Sequence, residues 1–545
     1  MHNLYLFQPQ YRVSFNDKDQ YWFPYAVGCL WSYAKQFEVA KTWDLKRILF
    51  KREPIDKVIK TIVNPSLCAF SVYIWNEKYC LRLAKEIKVL WPNCVIAFGG
   101  PQVSSHYTKY SFIDTMVIGE GEPAFVSMLQ RVVEGKEPQL FYNEKRMDSL
   151  DTVPSPYVDG TFDHLIEQNP NLFWSAPFET NRGCPYSCTF CDWGGLTRSK
   201  VKKFSLERIV NELAWLKDKK IRTMFLTDAN FGIFKERDLE IANLLRQFSE
   251  ANGNLEYIAM NYAKNSNEHV FKIAQAFGKI NKGITFSVQS MNPDTLEEIK
   301  RKNMDVGDIK TLMKLSAEYN IPHYTEVILG LPHETLSTWK SGIAELLELG
   351  QHSRIDVLFN MILDNTEMKE AQVVPFKIKT IEADDVVAFS IDEETGIKET
   401  APIVVSTSTM TTDEIVEAFM YTWMVIAFHI GGYSMNASMA LRAKGIAYRR
   451  FYDKLFERIF ELKETNRIQN ATKSLLTRGN TLTKGLYPTN LAHSSTAFMN
   501  ENIDQVNNLV RDTVRSFGIT VDYDLKEKEQ TLKDHEYFRK RRKAA

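Results

Sequence analysis

Glu179-Thr180-Asn181-Arg182-Gly183-Cys184-Pro185-Tyr186-Ser187-Cys188-Thr189-Phe190-Cys191 decides how the rest of the chain is read. Its cysteines stand at CxxxCxxC spacing, directly after a run, residues 174–181, that reads as a strand. Thiolates are soft ligands suited to iron, and spacing this close lets one loop wrap an iron-sulfur cubane. Three protein ligands for four irons leave one iron open, where a small molecule can bind and receive an electron. Cys184, Cys188 and Cys191 are therefore the expected ligands of a 4Fe-4S cluster. A zinc site and buried free thiols are the other readings of the same residues. Zinc usually takes a fourth protein ligand, and no histidine lies nearby to supply it.

Outward from the loop, residues 173–368 alternate apolar strand-like runs with helical patterns. The runs are residues 174–181, 223–228, 257–261, 285–289, 324–329 and 356–362. Helical spacing falls between them, at 206–216, 239–248, 270–277, 296–301 with 309–317, and 339–349. Six βα units close only part of an eight-unit barrel, and loops at the carboxyl ends of the strands should carry the chemistry. The expected class is α/β, with this partial (βα)6 barrel at its centre.

Residues 1–147 read as a Rossmann-like domain, with strands at 4–7, 69–73, 95–98 and 116–118 and helices at 81–90 and 123–133. Residues 148–172, rich in proline, aspartate and glycine, read as a linker. Residues 369–545 read as a mostly helical α+β domain, with strand-like pieces at 373–381, 386–391 and 403–406. Thr412 is the expected cap of a helix running into the apolar stretch 418–432. That stretch is shorter than the ~20 residues a membrane span needs, so a buried helix is expected.

Lysine plus arginine and aspartate plus glutamate both number 68, so no global field favours nucleic acid or an anionic membrane. The basic run 539–543 reads as a solvated end. The first ten residues lack the basic-then-apolar pattern of a secretory signal, and a cytoplasmic protein is expected. Seven cysteines, with Cys29, Cys68, Cys80 and Cys94 scattered upstream, make no disulfide framework. His429, Tyr433 and His493 read as satisfied core or loop residues, and no general acid or base is assigned.

The cysteine spacing, with Phe190 before the last cysteine, resembles the signature of the radical S-adenosylmethionine (SAM) superfamily, and the resemblance extends over the six βα units. It implies that SAM chelates the open iron and that its reductive cleavage yields a 5′-deoxyadenosyl radical. It also implies SAM contacts from Asp228 and Asn230, which stand where the superfamily usually has Gly-Gly-Glu, from Ser287 and Gln289 after the fourth strand, and from Glu326 and Gly330 in the fifth. Gly99-Gly100-Pro101-Gln102 and Gly119-Glu120-Gly121-Glu122, in a Rossmann-like domain before such a core, look like the cobalamin-binding subgroup. Tyr73, with Trp75 and Asn76, is a candidate for the surface facing the corrin, and no Asp-x-His-x-x-Gly is present to ligate cobalt.

The subgroup is methyltransferase-like, which implies C-methylation of a small-molecule or peptide substrate with electrons from a donor such as flavodoxin or ferredoxin, and no membrane or nucleic-acid partner. Radical cyclisation or rearrangement without net methylation, and a non-catalytic cobalamin or SAM sensor, are the alternatives. Methylthiotransferases share a Rossmann-like domain but bind a second cluster. Here Cys29 and Cys80 fall on apolar helix stretches and Cys94 starts a strand, which reads as buried thiols.

Overall fold

The computed structural model describes residues 1–15, 18–143, 145–195, 201–252, 255–264, 268–281, 283–384, 394–480 and 491–525. Leu4, Tyr5, Leu6 and Phe7 in the strand His2–Gln10 are all buried, because helices cover both faces of its sheet. Alternation along the strand sends Leu4 and Leu6 into one core and Tyr5 and Phe7 into another. Among the described residues this sheet has six parallel strands, in the spatial order Trp43–Lys51, His2–Gln10, Pro65–Ser71, Val95–Gly99, Thr115–Val117 and Phe141–Tyr142.

The order reverses at His2–Gln10, so the topological switch point opens between its carboxyl end and that of Pro65–Ser71, where open α/β sheets bind ligands. The strands Trp43–Lys51 and Phe141–Tyr142 were not foreseen. The first carries Asp44, Lys46 and Arg47 on its outer edge, which hides its apolar run. Cys29, Cys68, Cys80 and Cys94 are buried among apolar side chains, and burial pushes the thiols of Cys29, Cys68 and Cys80 far above their usual range.

All six strand-like runs of the central region form strands. Phe173–Phe178, Thr223–Phe231 and Tyr257–Tyr262 pair in parallel, as do Ile284–Gln289, His323–Leu329 and Arg354–Phe359. An Ile258–Asn281 bridge joins the two sets into a partial barrel-like sheet. Helices including Leu206–Asp218, Lys235–Asn252, Val306–Glu318 and Leu336–Glu348 follow the strands. At the open edge, Lys18–Trp22 adds in parallel to Phe173–Phe178 and pairs with Val13–Phe15. Buried Gln20 locks it there through Thr223 Oγ1 at 2.6 Å. The polar sequence of this hairpin gave no strand signal.

Residues 148–172 are packed rather than strung out. They form the turn Leu150–Thr152 and the helix Asp163–Gln168, and they bury Tyr157 and Phe162 against Phe23. Beyond the barrel, Lys379–Ala383 pairs antiparallel with Ala401–Ser406. Residues 373–377 are turns after the π-helical Met368–Gln372, so the strand expected from 373 begins only at Lys379. The expected strand at 386–391 and the basic run at 539–543 lie outside the described residues.

Thr411, not Thr412, caps the helix Thr412–Met424. Its hydroxyl accepts from Glu414 N at 3.3 Å while the Glu414 carboxylate accepts from Thr411 N at 2.8 Å. The apolar stretch continues through the π-helical Val425–Ile430 and is buried, as expected. Among the described residues no single helix is long and apolar enough to cross a membrane.

Candidate active site

The cysteine loop leaves the first barrel strand through a turn that one carboxylate builds. Asp228, wholly buried at the end of the second strand, accepts from Thr180 N at 2.8 Å, Asn181 N at 3.1 Å and Asn181 Nδ2 at 2.7 Å, and also from the Thr180 hydroxyl. Burial raises its pKa to about 7, against the pull of these donors. Both oxygens face the loop, so Asp228 positions the cysteines instead of meeting a ligand's amino group. Gly183, at φ +116°, then turns the chain into Cys184.

The loop is pinned again past its middle. Thr189 donates to Gln372 Oε1 at 2.8 Å and pairs through its backbone with Ile299 and Met368, while Phe190 packs against the apolar cluster to which Ile299, Ile328 and Met368 belong. Cys184 and Cys188 are buried and Cys191 is partly so. Burial raises the Cys191 thiol and nearby Lys264 lowers it, while the neighbouring Cys188 and Cys184 raise it. Among the described residues no three His, Cys, Asp or Glu side chains converge as ligands of one metal ion would. A cubane spreads three thiolates over three separate irons, and three soft sulfurs on one twice-pinned loop suit that donor geometry.

Asn230 and Arg301 flank this loop with unanswered polar atoms. Buried Asn230 donates from Nδ2 to Cys184 Sγ at 3.2 Å, and its Oδ1 has no partner. Buried Arg301 donates from Nη2 to the Ser287 carbonyl and from Nε to Asn303 Oδ1 at 3.3 Å, while Nη1 has no partner. Arg301 lies in electrostatic range of Tyr186, in the cysteine loop, and of Glu326. Each of these orphaned buried atoms lacks a partner that the protein itself supplies. Sequence reasoning missed Arg301, because only the fold carries it from a short helix to the end of the fourth strand.

At that strand end a bulge separates Ser287 from Gln289, and Gln289 takes φ +66°. A bulge and a left-handed non-glycine residue both re-aim side chains at functional sites. Ser287 Oγ donates to Glu326 Oε2 at 2.7 Å, and burial raises the Glu326 pKa. Gly330 holds φ +94° with Val404 Cγ1 at 3.2 Å from where a Cβ would stand. Glu334 accepts from Ser290 and Thr338 hydroxyls, each at 2.5 Å, while Thr335 caps the helix that follows.

The glycine-rich ends of the parallel sheet divide by role. A Cβ on Gly100, at φ +108°, would lie 2.6 Å from Val72 O, so this glycine serves backbone packing. Gly119, at φ +94°, has nothing within 4 Å of where a Cβ would stand, and Gly99 meets Val117 only at 3.4 Å. The backbone at Gly119, which follows the strand Thr115–Val117, is thus open to close approach. Asn365 reaches across from the barrel to Pro101 O at 2.7 Å and Val103 O at 2.8 Å, and Gln102 turns to Glu77 Oε2 at 3.3 Å.

Tyr73 and Trp75 stack with centroids 4.4 Å apart at the switch point. Asn76 is turned inward to Pro9 O and Ser71 O, both at 3.1 Å, which removes it from the facing surface. Gly121 lies 3.0 Å from Leu30 at its Cβ position, and Glu120 and Glu122 are buried in ion pairs with arginines rather than open to the crevice.

The radical SAM superfamily matches residues 178–345. Over 474 residues the chain is 35% identical to the cobalamin-dependent radical SAM methyltransferase TokK of Streptomyces tokunonensis, covering 82% of this chain and 69% of that one. It is 34% identical over 462 residues to the 2-(S-pantetheinyl)-carbapenam-3-carboxylate methyltransferase of Streptantibioticus cattleyicolor, covering 79% and 67%. The fold is similar to that of the radical SAM methyltransferase TsrM from Kitasatospora setae, solved with cobalamin and a 4Fe-4S cluster, at a TM-score of 0.52 and 15% identity over 74% of this chain and 84% of that one. With its cysteine loop on the first strand of a partial barrel and a parallel-sheet crevice ahead of it, the chain belongs to the cobalamin-dependent radical SAM methyltransferases.

Proposed function

We propose that this enzyme methylates a carbon atom of a small-molecule substrate, with a 4Fe-4S cluster on Cys184, Cys188 and Cys191, SAM beside it and cobalamin in the crevice of the parallel sheet. When bound, these groups supply a carbon-centred radical and a transferable methyl group. The observation that carries the reading is the pair of orphaned atoms beside the cysteine loop, Asn230 Oδ1 and Arg301 Nη1. An α-amino acid end satisfies both at once, its ammonium donating to Asn230 and its carboxylate accepting from Arg301.

Gln289, aimed by its bulge, and the Ser287–Glu326 pair supply polar groups for the ribose, and Gly330 lets the backbone approach the adenine. Gly99, Gly119 and the Tyr73–Trp75 stack line the corrin crevice, and Pro101 and Gln102 shape its rim. Residues 1–147 would hold cobalamin, with 148–172 as a packed connection, 173–368 would form the radical core, and 369–545 would select the substrate. Similarity to a carbapenam-carboxylate methyltransferase favours a ring-bearing carboxylate as the substrate class. A one-electron donor such as flavodoxin or ferredoxin, and a cytoplasmic setting, complete the proposal.

Anaerobic turnover of reconstituted protein, with methionine, 5′-deoxyadenosine and S-adenosylhomocysteine quantified, tests it. Methyl transfer requires 5′-deoxyadenosine and S-adenosylhomocysteine to rise together with substrate. Deoxyadenosine alone would mean rearrangement, and neither would mean a binding protein.

A further inference from the structure

The segment Gly119–Glu122, whose last two residues begin the helix Gly121–Val133, and the cysteine loop meet at one partly buried arginine. Arg182 stands two residues before Cys184, in the short strand Asn181–Arg182. Its Nε and Nη2 fork onto Glu179 at 3.0 Å each, which fixes the guanidinium plane. Nη1 is thereby aimed across the boundary, donating to Glu122 Oε1 at 3.0 Å and lying 3.9 Å from Glu120 Oε1. Glu120 also accepts from Arg146 Nε at 3.3 Å and Met147 N at 2.8 Å, and Arg146 Nη2 returns to the Arg182 carbonyl at 3.3 Å. Side-chain exposures of 16% for Arg182, 4% for Glu120 and 5% for Glu122 shield these pairs from most solvent screening.

Resting on the cofactor assignment above, we propose that Arg182 couples the two loops energetically, so that filling the cysteine loop with its cluster tightens cobalamin binding in the crevice, and the reverse. The physical ground is shared order. A cluster would fix the backbone at Cys184, and with it the position of the Arg182–Glu179 pair just before it. A fixed Arg182 holds Glu122, and with it the segment that begins at Gly119, whose backbone has no neighbour within 4 Å of a Cβ position. A ligand that needs this turn in place then binds to a loop already ordered. Linkage makes the effect reciprocal, because a coupling free energy belongs to the pair of sites and not to either one. Arg182 does not reach the crevice itself, so it is a positioning residue. Glu120 and Glu122 act with it, as transmitters and not as ligands.

The test is hydroxocobalamin affinity, measured anaerobically by spectrophotometric titration of full-length protein with its cluster either chelated away or reconstituted. Wild type should bind about fivefold or more tightly with the cluster present, the lower end of ordinary coupling factors. Glu122→Gln keeps the side chain's shape and leaves Arg182 paired with Glu179 while weakening the link across the loops. In that variant the two affinities should converge to within about twofold. Arg182→Lys, which keeps the charge and loses the fork, should behave the same way. Equal affinities with and without cluster in wild type would overturn the proposal without any variant, as would an undiminished ratio in Glu122→Gln. Failure of both forms of wild type to bind corrin would instead strike the cobalamin assignment beneath it.

Discussion

Replacing Asn230 by leucine removes the amide that donates to Cys184 Sγ at 3.2 Å while nearly conserving volume at a buried position. A donor to a ligating sulfur stabilises the more negative, reduced cluster, so its loss should drive the midpoint potential down. One hydrogen bond contributes about 1 kcal/mol net in a folded protein, somewhat more when it faces charge. The added electron is shared across the cluster, so roughly half to all of that energy distinguishes the two redox states. For a one-electron couple, where ~59 mV is a tenfold change in the equilibrium constant, the shift is about 20 to 60 mV. Asn230→Asp turns an acceptor toward the same sulfur and should move the potential further in the same direction. A dithionite-poised redox titration followed by electron paramagnetic resonance at low temperature reads both. An unchanged or raised midpoint in Asn230→Leu, with the signal otherwise intact, would show that the Asn230 amide does not stabilise the reduced cluster.

Gly330→Ala forces a side chain into the left-handed region and to 3.2 Å from Val404 Cγ1. It should lower stability by about 1–3 kcal/mol, read as a drop in thermal midpoint. Arg52→Met strands buried Glu399, whose Oε1 accepts from Arg52 Nη1 at 2.6 Å and which also caps the helix Glu77–Leu90 through Lys78 N at 2.8 Å. Losing one partner of a buried pair destabilises by about 3–5 kcal/mol, whereas the double change Arg52→Met with Glu399→Gln should recover part of the loss in urea unfolding. Burial holds the His429 pKa down at about 3, beside His352 Nδ1 at 2.9 Å and Tyr452 OH at 2.6 Å. The unfolded chain therefore takes up a proton that the folded one refuses as pH falls below the ordinary histidine value. The His429 contribution is intact above about pH 6.5 and declines by about 1.4 kcal/mol per unit below it. His429→Gln should flatten the acid limb of a stability-versus-pH profile, and an unaltered slope would contradict the assignment.

The barrel was legible because its strands bury at least one face and recur as apolar-rich runs at regular intervals, and the cysteine loop because close ligand spacing is local. What escaped depends on pairs distant in sequence. Lys18–Trp22 is polar, and nothing within it signals that Phe173–Phe178 offers a free edge 150 residues away. Asp228 was read as a ligand-facing residue, but the partner that fixes its role, the Thr180–Asn181 turn, lies 48 residues upstream. Glu120 and Glu122 looked like part of a ligand loop for the same reason, since their arginines, Arg146 and Arg182, lie 26 and 60 residues on. Arg301 carries no motif at all. Its place in the site follows from a short helix returning the chain to the end of the fourth strand.

The most direct test of the whole account is the low-temperature electron paramagnetic resonance spectrum of anaerobically reconstituted protein after dithionite reduction. Wild type should give the signal of a reduced 4Fe-4S cluster that changes shape when SAM is added, and Cys188→Ala should give none. A Cys188→Ala spectrum matching wild type, or a wild-type spectrum indifferent to SAM, would contradict an open iron held by these three sulfurs.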